Sequence, residues 1–256
     1  MHAFSMAFQP IVDLTRGEIF AYEALVRPPP RHGQGQGCAA DVLQQVTAGA
    51  LPEFDEACRE QALATAGRLG LGGFLALNFM PHVLPDSRAS LLRSLAVAER
   101  QRIAPHRLIL EVPGVACSAD GARLRGILAD FRSLGVITAI DDFGAAHGGL
   151  HLLADCQPDI VKIDMALTRG IHRDRARRAI VRAVTAMCAD LGISLVAEGV
   201  EEVDEAYELR ELDVRLFQGY LFGRPSVGML PQPNLAVMDQ LTGQHAALRL
   251  LEPERA

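Results

Sequence analysis

The 256-residue chain lacks any apolar run approaching the roughly 18 residues of a membrane-spanning helix, so no membrane partner is expected. It also lacks an excess of positive charge: 25 Lys and Arg stand against 31 Asp and Glu, a net charge of −6. A protein that wraps a polynucleotide meets its phosphates with many cations, so no polynucleotide partner is expected either. A phosphorylated ligand would have to find its positive charge locally, from a few Arg or Lys residues or from a metal. The five cysteines (Cys38, Cys58, Cys117, Cys156 and Cys188) include no CxxC pair. Odd in number and scattered, they read as free thiols in a reducing compartment, not as a disulfide frame or a zinc site. Asp13, Arg16 and Glu18 fall within an early alternating pattern that reads as folded protein rather than a signal peptide, which makes a cytoplasmic location the expectation.

What is present is a sizeable core, with 49% hydrophobic and 22% charged residues. Short apolar runs at 7–14, 19–27, 74–78, 107–112, 136–141, 160–163, 194–197 and 216–222 read as strands. Several, such as "FLALN" and "LILEV", are almost continuously apolar, as suits strands covered on both faces of a parallel sheet. Helical periodicity fills gaps at 54–69, 88–100, 119–134, 175–191 and 201–211, with Gly70, Gly135 and Gly192 placed to end three of these helices. The stretch "PPPRHGQGQG" at 28–37 reads as a surface loop. No composition break divides the chain. The expectation is a single α/β domain over 1–256, a modified TIM-type (β/α)8 barrel with a core of about 7–225 and a C-terminal helix and tail of about 231–256. Only "TRGE" separates the first two strands, which is hairpin length, so at least one strand near the N-terminus should run antiparallel.

Polar residues gather at the ends of these strands: Glu23 in "AYEALVR", Asn78 in "FLALN", Glu111 in "LILE", Asp141 and Asp142 in "ITAIDD", Lys162 and Asp164 in "IVKID", Glu198 after "SLVA", and Gln218 in "RLFQGY". In a barrel, the C-terminal ends of parallel strands share one rim, and active sites lie there. Carboxylates brought together repel one another and raise each other's pKa unless something compensates them. Oxygen donors without histidine or cysteine suit Mg²⁺ or Mn²⁺ rather than zinc. Successive residues of a regular strand point to opposite faces, so Asp141 and Asp142 can both serve the site only if the chain turns at Asp142, as Gly144 would allow. Asp141 could serve one ion and Asp142 a second, or one aspartate could bridge two ions about 4 Å apart, an arrangement that splits phosphodiesters.

In order and spacing, "FQPIVDL", "YEALVR", "LNF", "LEV", "DDFG", "VKID", "AEGVE" and "FQGYLFGRP" resemble the EAL domain family over about 7–225. "LNFMP" and "FDEACREQA" are most similar to EAL domains that accompany blue-light sensors, for which this chain has no room. The resemblance implies metal-dependent hydrolysis of cyclic di-GMP to linear pGpG in bacterial second-messenger signalling. It implies that Glu23, Asn78, Glu111 and Asp141 hold a first ion, with Asp142 and Asp164 near a second. Lys162 would contact water and phosphate, and Glu198 would act as general base or second-metal ligand. Gln9, Leu25, Arg27, Glu201, Gln218 and Pro225 match positions near the dinucleotide, with Arg27 as a phosphate fork.

Two departures from the family pattern lie close together. The E-x-x-E that commonly follows the fourth strand reads "EVPG" here, with Gly114 in place of the second glutamate. The "DDFG" loop continues "AAHGG", placing Ala146 and His147 where glycine and an aromatic residue are expected, followed by Gly148 and Gly149. A loop so altered would hold Asp142 less firmly. Three readings therefore stand: an active phosphodiesterase, a weak or inactive domain that serves as a cyclic di-GMP receptor, and a protein-interaction module. The arginine run at 169–182 reads as a solvated helix face, with Ala176, Ile180 and Ala183 as its apolar stripe. The resemblance puts this helix near a common dimer surface, so a homodimer and a separate sensor or regulatory protein are the candidate partners besides the nucleotide.

Overall fold

The chain first turns at Asp13, whose Oδ1 accepts the backbone N–H groups of Thr15 (2.8 Å) and Arg16 (3.1 Å). This turn joins β1 (Ser5–Asp13) and β2 (Glu18–Arg27) as an antiparallel hairpin, as the short connection requires. The computed structural model describes residues 3–29, 37–81, 83–84, 86–114, 121–145 and 149–249. After the hairpin come β3 (Phe74–Asn78), β4 (Leu108–Pro113), β5 (Ile137–Phe143), β6 (Ile160–Ile163), β7 (Ser194–Ala197) and β8 (Leu216–Gln218), each parallel to the one before. β8 then pairs antiparallel with β1, with Gln218 opposite Ile11, and this closes an eight-strand mixed barrel. A short β9 (Ser226–Val227) adds to β1 beyond β8.

Helices cover the outside. They are α1 (Ala39–Leu43), α2 (Leu51–Arg68), α3 (Ser87–Arg100), α4 (Gly121–Ser133), α5 (Gly149–Cys156), α6 (Met165–Thr168), α7 (Arg175–Asp190), α8 (Val203–Glu211) and α9 (Leu235–Arg249). Their starts follow capping chemistry: Asp86 accepts the N–H of Ala89, and Asp174 those of Ala176 and Arg177. Gly70, Gly135 and Gly192, the three expected helix terminators, all take left-handed φ. Among the described residues no helix is long and apolar enough to cross a membrane. Cys38, Cys58, Cys156 and Cys188 are free thiols, and Cys117 lies outside the described residues.

Inside the barrel, each of the eight strands contributes one residue to an apolar layer: Ile11, Ala21, Ala76, Ile109, Ala139, Ile160, Val196 and Leu216. Strand side chains alternate between faces, so a step of two residues toward the rim again points inward. From those eight residues the step reaches Gln9, Glu23, Asn78, Glu111, Asp141, Lys162, Glu198 and Gln218. The period of the β-strand thus places a polar layer directly above an apolar plug. The register fits this: Gln9 lies opposite Glu23, and Asn78 opposite Glu111.

Three expectations need correction, and three helices went unforeseen. The strand expected over 216–222 stops at Gln218, because Gly219 turns against the β7–α8 loop so closely that a Cβ there would lie 2.0 Å from the Val200 carbonyl oxygen. The helix expected from 201 begins at Val203, with Glu202 extended as its N-cap. The buried stripe of α7 is Val181, Val184 and Cys188, while Ala176, Ile180 and Ala183 face solvent. Helices α1, α5 and α6 carried too little periodicity to be foreseen. Most of the expected 28–37 loop, and Ala146, His147 and Gly148, lie outside the described residues.

Candidate active site

Lys162 sits at the centre of the polar layer, with its side chain 1% exposed. Its Nζ lies 2.8 Å from Glu198 Oε1, 3.0 Å from Glu111 Oε1, 3.1 Å from Asp141 Oδ1 and 3.4 Å from Glu23 Oε2. These four carboxylates come from four different strands or the residue just past one, so only barrel closure brings them to one ammonium. Burial by itself would lower the lysine's pKa, but attraction to Asp141, Glu111, Glu198 and Glu23 outweighs that and holds it well above the usual value. Burial first, and then repulsion from neighbouring carboxylates, pushes Glu111 and Glu198 well above the ordinary carboxylate range despite Lys162.

The surrounding amides order this cluster. Gln218 Nε2 donates to Glu23 Oε2 at 2.6 Å and to Gln9 Oε1 at 3.3 Å, and Asn78 Nδ2 donates to Glu23 Oε1 at 3.3 Å. Gln9 Nε2 is spent on the Gly223 carbonyl at 3.0 Å. Glu23 is therefore held from three sides. Glu111 Oε2, by contrast, is a buried oxygen without a hydrogen-bond partner among the described residues, and Asp141 Oδ1 has only the Lys162 ammonium beside it there.

The adjacent aspartates are resolved by the backbone. Asp142 takes φ +54°, in the left-handed region, and the pairing of β5 with β6 shifts register between Ile140 and Phe143. This local turn brings both aspartates to one place: carboxylate oxygens of Asp141, Asp142 and Glu198 lie within 4.8 Å of one another. Asp142 is exposed as a residue but its carboxyl is partly enclosed, and this partial burial, followed by repulsion from Asp141 and Asp164, raises its pKa. The oxygen-only donor set, the unpartnered Glu111 Oε2 and the surplus negative charge fit a hard divalent cation, with Glu23, Asn78, Glu111, Asp141, Asp142 and Glu198 at hand to hold it. Asp164 caps α6, its Oδ1 accepting the N–H of Ala166 at 2.8 Å, and borders the same space from the outer side. Gly114 packs on this backbone: a Cβ there would lie 3.0 Å from the Asp141 carbonyl oxygen.

Two cavities flank the cluster and share Glu23 and Leu25 in their walls. One, of about 330 Å³, is largely apolar, with Val26, Leu43, Phe54 and Met80. The other, of about 440 Å³, is lined by Gln9, Gln218, Tyr220, Asp164, Arg169 and Glu201 among others. Arg27 donates to its neighbour Val26's carbonyl at 2.8 Å, and neither it nor Pro225 is among the residues lining these cavities.

Sequence reasoning missed the floor of the apolar cavity. Arg59 and Asp55, one helical turn apart on α2, form a fully buried ion pair. Arg59 also donates to Ser90 (2.7 Å) and Ser94 (3.1 Å) and lies 4.4 Å from the Phe79 ring centroid. The signal was the D-x-x-x-R spacing within an otherwise apolar face. Also missed was Tyr220, whose ring carries the Arg224 guanidinium at 4.1 Å beside the outer cavity.

The profile of the EAL domain matches residues 2–225. A standalone versatile EAL protein from Vibrio cholerae O395, solved in its c-di-GMP-bound form, superposes with TM-score 0.84 at 37% identity, covering 92% of this chain and 98% of that one. Klebsiella pneumoniae BlrP1, solved as a manganese/cy-diGMP complex, superposes with TM-score 0.82 at 34% identity over 88% of this chain and 56% of that one. The blue light- and temperature-regulated antirepressor BluF of Escherichia coli is 29% identical over 229 residues, 88% of this chain. The cyclic di-GMP phosphodiesterase NbdA of Pseudomonas aeruginosa is 32% identical over 222 residues, 85% of this chain. This chain spans 55% of the length of BluF and 28% of that of NbdA.

Proposed function

Because the chain belongs to the EAL domain family, we propose that it binds cyclic di-GMP over the polar layer and hydrolyses one phosphodiester to give linear pGpG. The observation that carries this reading is the rim itself, where eight strands each present a polar group between two cavities. A cyclic dinucleotide has two bases on either side of a charged ring, and the cavities offer one recess for each base. Mg²⁺ or Mn²⁺, as one ion or two, is the cofactor of this reading; when bound it supplies charge compensation for the phosphoryl oxygens and makes water more acidic.

The residues divide the remaining work. Water attacks phosphorus in line, a P–O bond forms, and the bond from phosphorus to the ribose 3′-oxygen breaks, that oxygen leaving as a hydroxyl with a proton taken from solvent. Glu198 accepts the proton of the attacking water. Lys162 keeps its own proton in the field of four carboxylates, so it serves as a fixed positive charge and hydrogen-bond donor toward the phosphate rather than as a base. Gln9, Gln218, Glu201 and Leu25 hold the dinucleotide, and Arg27 and Pro225 approach it from the rim. The protein then acts in cytoplasmic second-messenger signalling, with self-association through α7 or a separate sensor as its regulation.

A second reading is a receptor or protein-interaction module with little turnover. Gly114, in place of the second glutamate of E-x-x-E, favours it, as does the likeness to an antirepressor. Incubating the purified protein with cyclic di-GMP and Mg²⁺ or Mn²⁺ separates the readings. Release of pGpG supports hydrolysis, binding without release supports the receptor, and neither outcome leaves only the protein-interaction role.

A further inference from the structure

Glu205 lies outside the barrel, in the first turn of α8, and is 3% exposed. Its Oε1 accepts the N–H of Gly170 at 2.7 Å, and its Oε2 accepts those of Glu201 at 2.9 Å and Glu202 at 3.0 Å. Capping α8 requires only the bond to the N-cap residue Glu202. The other two bonds reach different loops, the β6–α7 connection at Gly170 and the β7–α8 connection at Glu201.

Both connections line the outer cavity. Asp164 and Arg169 come from the first, Glu198 and Glu201 from the second. Arg169 directly precedes Gly170 and pairs with the Glu201 side chain across the gap. A single carboxylate therefore holds the backbone beside both partners of that bridge. The Thr168 hydroxyl adds a parallel tie by donating to the Glu198 carbonyl oxygen. The loops also touch directly: a Cβ on Gly199 would lie 2.4 Å from Met165 Cβ.

We propose that Glu205 is a positioning residue that clamps the 164–170 and 198–202 loops together and so fixes Glu198 over the carboxylate cluster. Its effect on turnover rests on the phosphodiesterase reading; its effect on the loops does not. Burial would raise the Glu205 carboxyl, but the three N–H groups outweigh this and hold it below the ordinary range, so it is ionised at neutral pH.

The test compares wild type, Glu205→Ala and Glu205→Gln by amide hydrogen exchange, by kcat and KM for cyclic di-GMP with Mn²⁺, and by thermal melting. Alanine removes every acceptor. Glutamine keeps one oxygen, which can serve Gly170 or the Glu201–Glu202 pair but not both. Exchange at Gly170, Glu201 and Glu202 should rise at least about tenfold in the alanine variant, since each loses its bond to the Glu205 carboxylate. Its kcat per folded molecule should fall by about 10²-fold, the cost of a displaced reacting group, with KM changed less than about threefold. The glutamine variant should be intermediate in both, and it decides the matter if the alanine variant does not fold. Unchanged exchange at Gly170 would overturn the clamp, as would freed amides with kcat intact. A wild-type protein that binds no cyclic di-GMP and releases no pGpG would overturn the function reading alone, and the exchange rates would still decide the clamp.

Discussion

Lys162 Nζ lies 2.8 Å from Glu198 Oε1, although in the register of the two adjacent parallel strands Lys162 stands opposite Val196, two residues before Glu198. Lys162 stands two residues past Ile160 and Glu198 two past Val196, so one structural step places both. The same ammonium serves Glu23, Glu111 and Asp141. Four carboxylates with one cation are undercompensated, and this imbalance makes the rim a receptor for further positive charge.

Replacing Lys162 with methionine keeps the length of the stem and removes the charge. Breaking a buried ion pair by deleting one partner costs about 3–5 kcal/mol, part of which is recovered here as the carboxylates take up protons. Lys162→Met should therefore melt at a lower temperature than wild type in EDTA. Added Mn²⁺ should raise its melting temperature by more than it raises that of wild type, because the ion meets less competing positive charge. Differential scanning fluorimetry with and without metal checks both, and equal melting in EDTA would refute the central role of this lysine.

The raised carboxyls set a direction for pH. A carboxyl whose folded pKa is raised stabilises the fold below its unfolded value, about 4.3 for Glu and about 3.9 for Asp, and that contribution is lost as pH climbs through the folded pKa. Glu111, Glu198 and Asp142 are all of this kind. Lys162, raised above its own usual value, holds its contribution throughout the neutral range and does not reverse the trend. The metal-free protein should thus lose melting temperature as pH rises from the ordinary carboxylate range toward neutrality, and saturating Mn²⁺ should abolish the loss. Metal binding should release protons, visible by calorimetry in two buffers of different ionisation enthalpy. A metal-free protein that gains stability over this interval would contradict the arrangement.

Most of the fold was legible because strands obey a period of two and helices carry their own terminators. Asp13, Gly135 and Asp174 do locally what their residue types favour. The polar rim was legible as a set of strand ends. Its finer regularity, a polar residue two positions beyond each member of one apolar layer, requires knowing which strand residue faces inward, and continuous apolar runs such as "FLALN" conceal that. On α7 the same ambiguity misled the reading: alanines and Ile180 spaced like a core stripe lie outside, and Val181, Val184 and Cys188 lie inside. The D-x-x-x-R spacing of Asp55 and Arg59 is local to α2, but the burial of that pair against Ser90 and Ser94 and the reach of Glu205 to Gly170 were not legible, since both depend on contacts between elements far apart in sequence. Asp142 was half legible: the need for a turn followed from strand geometry, but its left-handed φ did not.

Asp142 separates backbone from charge. At φ +54° asparagine and aspartate are tolerated better than other non-glycine residues. Asp142→Asn should therefore keep the turn while removing repulsion with Asp141 and Asp164, leaving the metal-free protein as stable as wild type or slightly more so at neutral pH. Its gain in melting temperature from Mn²⁺ should shrink. Asp142→Val removes the same charge but forces a β-branched residue into the left-handed region, a strain on the order of 1–3 kcal/mol. The chain can relieve that strain by straightening β5, which would turn residue 142 away from the site and pull Asp141 with it. Valine should consequently lower the metal-free melting temperature and reduce the response to Mn²⁺ further than asparagine does. Should the two variants prove equal in both respects, the left-handed turn at Asp142 would have no part in gathering the aspartates.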